Sequence, residues 1–524
     1  MSRMLRGVVA CVLVLAGALP GQASGGGQPK DAWHGAAGEA LRRSVAIAER
    51  IGGLQGARLK ADAALAALQL GERQQAQQWL RQAWQAARHL SDQDEPGSRA
   101  YAMRAVARDA VPILGEKSVP LVREAVQAKQ APEPALGDEA LLALLAHIGP
   151  QAAVGLAGTI RNQTRRADSL VAIAGVLGRQ GSPLAGSAAR SAADIYRRLG
   201  KRVLADWALA SAASRVAAKQ PALAIQLLQG VEESGDEDVQ EAMVRAYAWL
   251  APARALALAK SPTRPDLCAR LLCALGEERP ASAVSYLRLA SDRLIRARRV
   301  DLGLAAWAAI VAVMLTDHGM RSEAVTLLER EAGWAQPLKQ IERGRILILL
   351  AGAMSGADRK QATLLLDRGL HALAAHRDLD GYLQFAASVV APLDPVLAKT
   401  MYDRMKRKRA DPSVLLLIAI RAAARQPDLA RRWLAEGALQ ARRLPDSAAG
   451  KADEAYMAQA CVEGLLLPEP KRALATASRV RDQYCRAVAY QEVARSFVQR
   501  PSPIPVAPRQ AIASLIALTT GTRR

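Results

Sequence analysis

The length, composition and charge of the chain exclude several classes of protein. Of its 524 residues, 51% are hydrophobic, which is enough for a large core, while a mean hydropathy near zero excludes a protein with many membrane spans. The net charge is +22, and 57 of the 71 basic residues are arginine, so the surface attracts polyanions.

The N-terminus has the pattern of a secretory signal peptide. Arg3 and Arg6 precede an apolar stretch over residues 7–19, and Gly21-Gln22-Ala23 is a small-x-small cleavage site. The pattern predicts a signal peptide over residues 1–23, cleavage after Ala23, and a mature protein in the periplasm or outside the cell, without a transmembrane segment after processing. A lipoprotein box ending at Cys11 is disfavoured because a long apolar run follows it.

The rest of the chain is predicted to form three segments. Residues 24–35 are rich in Gly and are expected to be a flexible leader. Residues 36–500 contain no stretch that resembles a linker, so they are expected to form one helical repeat domain. Residues 501–524 begin with a Pro-rich connector and end in a C-terminal tail.

The repeat domain is identified by internal self-similarity. Eight residues recur 320 positions later with the same spacing: Ala153, Ala157, Ile160, Arg161, Gln163, Arg166, Ala167 and Ala174 match Ala473, Ala477, Val480, Arg481, Gln483, Arg486, Ala487 and Ala494. Apolar residues from Ala167 to Leu177 lie on one helical face, and a second stripe precedes them across a polar turn over residues 162–164. The unit is therefore predicted to be a pair of antiparallel helices, and the chain an all-α, superhelical solenoid of about ten to twelve stacked pairs.

Two windows of 34 residues resemble tetratricopeptide-type repeats. In residues 57–90, Gly71 is followed by Ala76, Leu80 and Ala83 at the spacing of that family, and residues 305–338 show the same pattern from Gly319. Other spacings differ, so a HEAT-like solenoid is the alternative. Both resemblances imply a concave groove that binds peptides or proteins.

Motifs of catalysis and of cofactor binding are absent from the sequence. The histidines are scattered, and His371 and His376 are five residues apart, which does not suit a metal pair on a helix. No cofactor and no metal are therefore expected. Cys461 and Cys485 are about one repeat apart, and buried thiols are preferred over a disulfide for them. The acidic segment 232–238 is expected to be a solvated loop that caps a helix.

The candidate binding residues are a basic cluster and two tryptophans. The alternative for the basic cluster is an ordinary solvated helix end. The two tryptophans occupy the same place in their stripes, and the alternative for them is packing between helices. These residues are Arg404, Lys406, Arg407, Lys408, Arg409, Arg431, Arg432, Trp79 and Trp433.

The sequence thus favours an exported, non-catalytic scaffold that binds a protein partner. One alternative is a binder of an anionic envelope polymer or lipid, since export puts these polyanions within closer reach than nucleic acid. Another is a cell-wall or glycan-processing enzyme on an α/α scaffold, which requires a carboxylate pair in a cleft lined by aromatic residues. With aromatic residues at 4% of the chain, the enzyme is disfavoured.

Overall fold

The structure is a computed structural model that describes residues 30–91, 97–128, 137–231, 235–374, 379–391, 394–405, 411–423, 426–444, 449–467 and 470–498. These residues contain α-helices joined by short turns, and they divide into two compact units. The predicted signal peptide, Cys11 and the segment 501–524 lie outside the described residues.

Unit A comprises residues 52–68 and 73–298. Its helices are α2 (Gly53–Gln69, whose last residue is assigned to unit B), α3 (Arg73–Arg88), α4 (Ser98–Leu114), α5 (Val119–Gln127), α6 (Asp138–Ala146), α7 (Pro150–Gly158), α8 (Gln163–Gln180), α9 (Leu184–Arg198), α10 (Arg202–Val216), α11 (Pro221–Leu228), α12 (Glu237–Leu250), α13 (Pro252–Lys260), α14 (Pro265–Glu278) and α15 (Ala283–Arg296).

Unit B comprises the chain up to residue 51, residues 69–72 and the chain from residue 299. Its helices are α1 (Lys30–Ile51), α16 (Leu302–Asp317), α17 (Arg321–Trp334), α18 (Gln340–Met354), α19 (Arg359–Ala372), α20 (Leu379–Val390), α21 (Pro395–Asp403), α22 (Pro412–Ala422), α23 (Pro427–Arg442), α24 (Ala449–Leu466), α25 (Pro470–Ala477) and α26 (Gln483–Val498).

Within each unit, consecutive helices form hairpins that stack side by side. The first helices pack against one another, as α8, α10, α12 and α14 do in unit A and α22, α24 and α26 do in unit B. The second helix of each hairpin, such as α9 or α23, covers this first layer on one side. This arrangement confirms the predicted all-α helical-repeat solenoid.

The first-layer helices carry most of the core. In α18, residues 346–354 are buried without interruption, although an ordinary surface helix is apolar on one stripe only. Such a helix is in contact with protein on nearly all sides, because it has first-layer neighbours as well as a covering second helix. The composition of α18 and α22 follows from this double contact.

The repeat detected in the sequence is also a repeat in the structure. Helices α25 and α26 match α7 and α8, and the pattern of buried positions over residues 156–177 recurs over residues 476–497. At the start of α8, Asn162 Oδ1 accepts a hydrogen bond from the Arg165 amide, and at the start of α26, Asp482 Oδ1 accepts one from the Cys485 amide. Since Asn162 is the N-cap, the predicted turn over residues 162–164 is shorter than expected, and α8 already begins at Gln163.

The glycines of both tetratricopeptide-like windows lie in tight turns. Gly71 and Gly319 have φ of 82° and 81°, a backbone conformation that residues with a Cβ rarely adopt. The helices after them begin two residues later, and Ala76, Leu80 and Ala324 of those helices are buried. The small residues of the stripe therefore face the hairpin interface, as the spacing predicts.

Helix α1 packs against α26, at the other end of the chain. Gln491 Nε2 donates a buried hydrogen bond of 3.0 Å to Ser44 Oγ, and the Arg43 guanidinium lies 5.8 Å from the centre of the Tyr490 ring. The helix begins at Lys30, inside the segment 24–35 that was predicted to be a flexible leader. Among the described residues, no helix has both the length and the hydrophobicity that a membrane span requires.

Candidate protein-binding surface

The most exposed tryptophan whose burial is described lies at the C-terminal end of α12. Trp249 exposes 41% of its surface, whereas Trp79 and Trp433 expose 5% and 8%. Tryptophan is usually well buried, so an exposed tryptophan is unusual. Tryptophan is also enriched among the residues that contribute most of the binding energy at protein interfaces. The surroundings of Trp249 are therefore the candidate binding surface.

The Trp249 ring is held in place by its neighbours. Its Nε1 donates a hydrogen bond of 2.9 Å to Glu278 Oε2, and the Arg279 guanidinium lies 5.8 Å from the ring centre. Two residues earlier in α12, Tyr247 stacks under Arg254 of α13, with 4.3 Å from guanidinium carbon to ring centre, but residues two apart do not share a helix face. We call Trp249, Glu278 and Arg279 the Trp249 patch.

Arg245 anchors the patch from behind. Its guanidinium bonds Glu278 Oε1 at 3.1 Å, Glu277 Oε2 at 2.7 Å and Glu241 Oε1 at 2.8 Å. Glu278 is thus shared between Arg245 and the indole of Trp249. Such charge-assisted contacts fix the orientation of planar groups, so the exposed ring is presented in one orientation.

A second arginine extends this network along α12 and α14. Arg270 Nε donates to Glu241 Oε2 at 2.6 Å, so Glu241 is bonded by Arg245 and Arg270 together. Burial raises the pKa of Glu241, but the two guanidinium groups outweigh burial, and the net shift is downward. The pKa of Arg215 is lowered by burial and by the nearby charges of Arg179 and Arg245. The downward shift keeps the Glu241 carboxylate ionised at neutral pH, so that it can accept from both guanidinium groups.

The acidic segment 232–238 supplies part of this network. Asp236 is the N-cap of α12 and accepts hydrogen bonds from the amides of Asp238 and Val239. Glu237 and Asp238 form ion pairs with Arg270, and Glu237 also pairs with Arg264. Residues 232–234 lie outside the described part of the chain.

The sequence did not point to Trp249 because its position in the helix is misleading. Val239, Ala242 and Ala246 form an apolar stripe, and Trp249 is the next position of that stripe. The stripe predicts a buried ring. The ring is nevertheless exposed, one residue before α12 ends at Leu250.

The basic residues predicted to bind lie in unit B, and two of them are paired. Arg404 forms an ion pair of 2.8 Å with Asp367, and Arg431 forms one of 2.8 Å with Asp428. Arg432 is exposed on α23. Lys406, Arg407, Lys408 and Arg409 lie outside the described residues.

The register of α21 and α23 separates Arg404 from Arg431 and Arg432. Lys399 Nζ lies 3.3 Å from Glu436 Oε2, and the Tyr402 hydroxyl donates to Gln440 Oε1. This register places Arg404 level with the last turn of α23, whereas Arg431 and Arg432 lie near its start. At 1.5 Å per residue, the two sites are separated by roughly 15 Å along the helix.

Trp79 and Trp433 occupy matching positions on the second helices α3 and α23. Both are buried, and each follows a fully buried alanine, Ala76 or Ala430, by three residues. Their rings fill space inside a hairpin layer instead of lining an open surface.

A shallow depression in unit B contains two carboxylates. It lies between α22, α24 and α26 and holds about 330 Å³ including open solvent. Glu454 and Glu492 line it together with apolar residues that include Leu417, Met457 and Cys461. The lining has no aromatic side chain, so it lacks the platform that the glycan-processing alternative requires.

The cysteines and acidic groups of the described residues form no other reactive site. Among the described residues, Cys268, Cys273, Cys461 and Cys485 form no disulfide. Burial, with a contribution from the Glu492 carboxylate, raises the pKa of Cys461, which makes that thiol a poor nucleophile. In the described part of the chain, no three His, Cys, Asp or Glu side chains are grouped so that they could hold a metal ion.

Comparisons with known proteins add little to this description. No protein-family model matches the chain, and no curated protein matches it. A solved structure described as a circular tandem repeat protein with novel repeat topology and enhanced subunit contact surfaces is 14% identical, and the match covers 93% of this chain and all of that one. Its TM-score is 0.17, at which the likeness carries no argument about this chain.

Proposed function

We propose that this protein is an exported helical-repeat scaffold that binds a protein partner through the Trp249 patch. The observation that supports this proposal is the fixed presentation of an exposed Trp249 by Glu278 and Arg279. Trp, Tyr and Arg dominate the binding energy of protein interfaces, and a side chain held in place before binding loses little entropy on binding.

The test compares three versions of the chain from Ser24 onward as bait for envelope proteins. We expect wild type to retain a protein partner at physiological salt, and Trp249→Ala to weaken the complex by about 2 kcal/mol, or about 30-fold in Kd. Leu364→Ala, which removes an exposed leucine outside the Trp249 patch, is the control and should bind as wild type does. Equal retention by Trp249→Ala and wild type would contradict the proposal.

The export part of the proposal depends on residues 1–23 and has its own test. Mass spectrometry of the protein isolated from its own cells should find an N-terminus at Ser24. A retained Met1 contradicts export by this route, and a lipid on Cys11 identifies the protein as a lipoprotein instead.

A second candidate function is binding to an anionic envelope polymer or lipid surface. Residues 197–204 comprise the end of α9, the turn after it and the start of α10, and they include four basic residues and no acidic one. In the same segment, Leu199, Val203 and Leu204 expose 38%, 47% and 38% of their surfaces. Basic residues beside exposed apolar ones favour anionic surfaces. Binding to vesicles with anionic lipid that is lost between low and physiological salt supports this candidate, and equal binding to neutral vesicles contradicts it.

A further inference from the structure

Helix α1 has the burial pattern of the second helix of a repeat. Each buried position of α1 is matched by a buried position of α9, 148 residues later. The similarity includes residue types: Ala37, Gly38, Ala40 and Ile47 correspond to the identical residues of α9. The matched positions are Ala37, Gly38, Ala40, Leu41, Ser44, Val45, Ile47 and Ala48 in α1, and Ala185, Gly186, Ala188, Ala189, Ala192, Ala193, Ile195 and Tyr196 in α9.

The partners of these two helices are also equivalent. Helix α9 covers α8, and α1 covers α26, which is the copy of α8 located 320 residues later. The last repeat of unit B therefore takes its first helix from the C-terminal end of the described chain and its second helix from the N-terminal end. No short turn connects the two halves of this repeat.

The joint after α1 permits a large change of direction. Gly52 and Gly53 both have positive φ, 62° and 58°, and a Cβ at either position meets no atom within 4 Å. The corresponding junction after α9 has one glycine of this kind, Gly200, with φ of 72°. Two consecutive glycines in this conformation are a hinge, because each readily adopts other backbone conformations.

We infer that α26 is a docking site for the α1 helix of a second copy, and that the protein forms reciprocal dimers by exchanging α1. The contacts of the exchanged helix are those seen within one chain, including the buried Ser44–Gln491 hydrogen bond, so dimerisation requires no new interface. The second copy is the partner because it alone supplies the complete set of residues that match α26.

The hinge gives the first test. Gly52→Ala with Gly53→Ala strains the joint, since alanine disfavours positive φ, and it favours helical backbone at these two residues, which weakens the packing of α1 on its own α26. We expect the dimer dissociation constant to fall by at least about tenfold, measured by light scattering over a concentration series. Gly319→Ala carries the same strain in the turn of one hairpin and should stay at the wild-type value. A double variant as monomeric as Gly319→Ala overturns the inference.

The second test restores the contact between copies. Ser44→Asp in one tagged chain and Gln491→Arg in another each place a charge at a buried position without its opposite. When the two chains are refolded together, each can place its α1 on the α26 of the other. The introduced Asp then contacts the introduced Arg at one contact site, and Ser44 contacts Gln491 at the other. We expect heterodimers that carry both tags. When Ser44→Asp is refolded in the presence of wild-type monomer that is already folded, and so does not exchange α1, we expect no heterodimer. Absence of heterodimer from the matched pair overturns the inference. The chain with both substitutions is the control that shows whether the Asp–Arg pair is tolerated at this site.

Discussion

Glu331 brings a carboxyl group into the interior of unit B without compensation. The residue is fully buried in α17, and neither carboxyl oxygen has a hydrogen-bond partner among the described residues. Burial, with a smaller contribution from Asp301, raises the pKa of Glu331 from 4.5 to about 8. The folded protein therefore holds a proton here at neutral pH that the unfolded chain releases.

This proton sets a pH dependence of stability. Between about pH 5 and pH 8 the unfolded chain binds fewer protons at this site than the folded one, so the free energy of unfolding falls as pH rises, by up to about 1.4 kcal/mol per unit. Glu331→Gln removes this slope, so its stability relative to wild type should increase with pH over that window. Urea unfolding at several pH values measures it. The exposed Glu329→Gln on the same helix is the control, and a wild-type-like slope in Glu331→Gln would falsify the assignment.

At the scale of the element, two glycines allow helices α18 and α19 to cross in close contact. A Cβ on Gly369 would lie 2.9 Å from Ile348 Cγ1 and 3.1 Å from the Gly344 carbonyl oxygen. A Cβ on Gly344 would lie 3.0 Å from the Gly369 carbonyl oxygen and closer still to the Leu373 side chain. The two backbones are in contact at this crossing, so movement of side chains alone cannot make room for an added Cβ.

Gly369→Ala is therefore expected to destabilise unit B by about 1–3 kcal/mol, because overpacking forces the two backbones apart. The opposite result is expected for Gly333→Ala in α17, where a Cβ meets nothing within 4 Å and the gain in helix propensity is up to about 1 kcal/mol. Thermal or urea unfolding of the two variants checks the contrast. Stabilisation by both substitutions would show that the crossing is looser than described.

These elements show what the sequence could predict and what it could not. The stripe Ala362-Leu366-Gly369 predicts a close hairpin contact because small residues at helical spacing let two helices approach closely. The copy at residues 473–494 predicts its own fold through its similarity to residues 153–174. Gly38 and Gly344 gave no such signal, since a single glycine in a helix has no period. Trp249 and its network were missed because the contacts of Arg245 depend on Glu277 and Glu278, more than 30 residues away.

At the scale of the whole molecule, the pairing of α1 with α26 joins residues 447 positions apart. The similarity of α1 to α9 is present in the sequence, but nothing in it shows that the missing first helix lies at the opposite end. Closing a loop of this length from the unfolded chain costs about 4 kcal/mol more than closing a four-residue turn. The contact is stable because α1 buries a complete second-helix face.

Leu41→Asp tests this dependence at a distance in sequence. Leu41 is fully buried in α1, and a charge there is expected to release the helix. Hydrogen exchange should then show faster exchange of the amides of α26, whereas Arg42→Asp, on the exposed side of α1, should leave them protected. Unchanged protection of α26 in Leu41→Asp would show that α26 does not need α1.

The split repeat also has a consequence for synthesis of the protein. Helix α1 is made before α26, so its apolar face stays uncovered until α26 has been made. A product that stops anywhere before residue 483 retains this exposed face, which is the feature that chaperones and proteases recognise. Chains interrupted before α26 are therefore expected to be more sensitive to proteases than chains that include it.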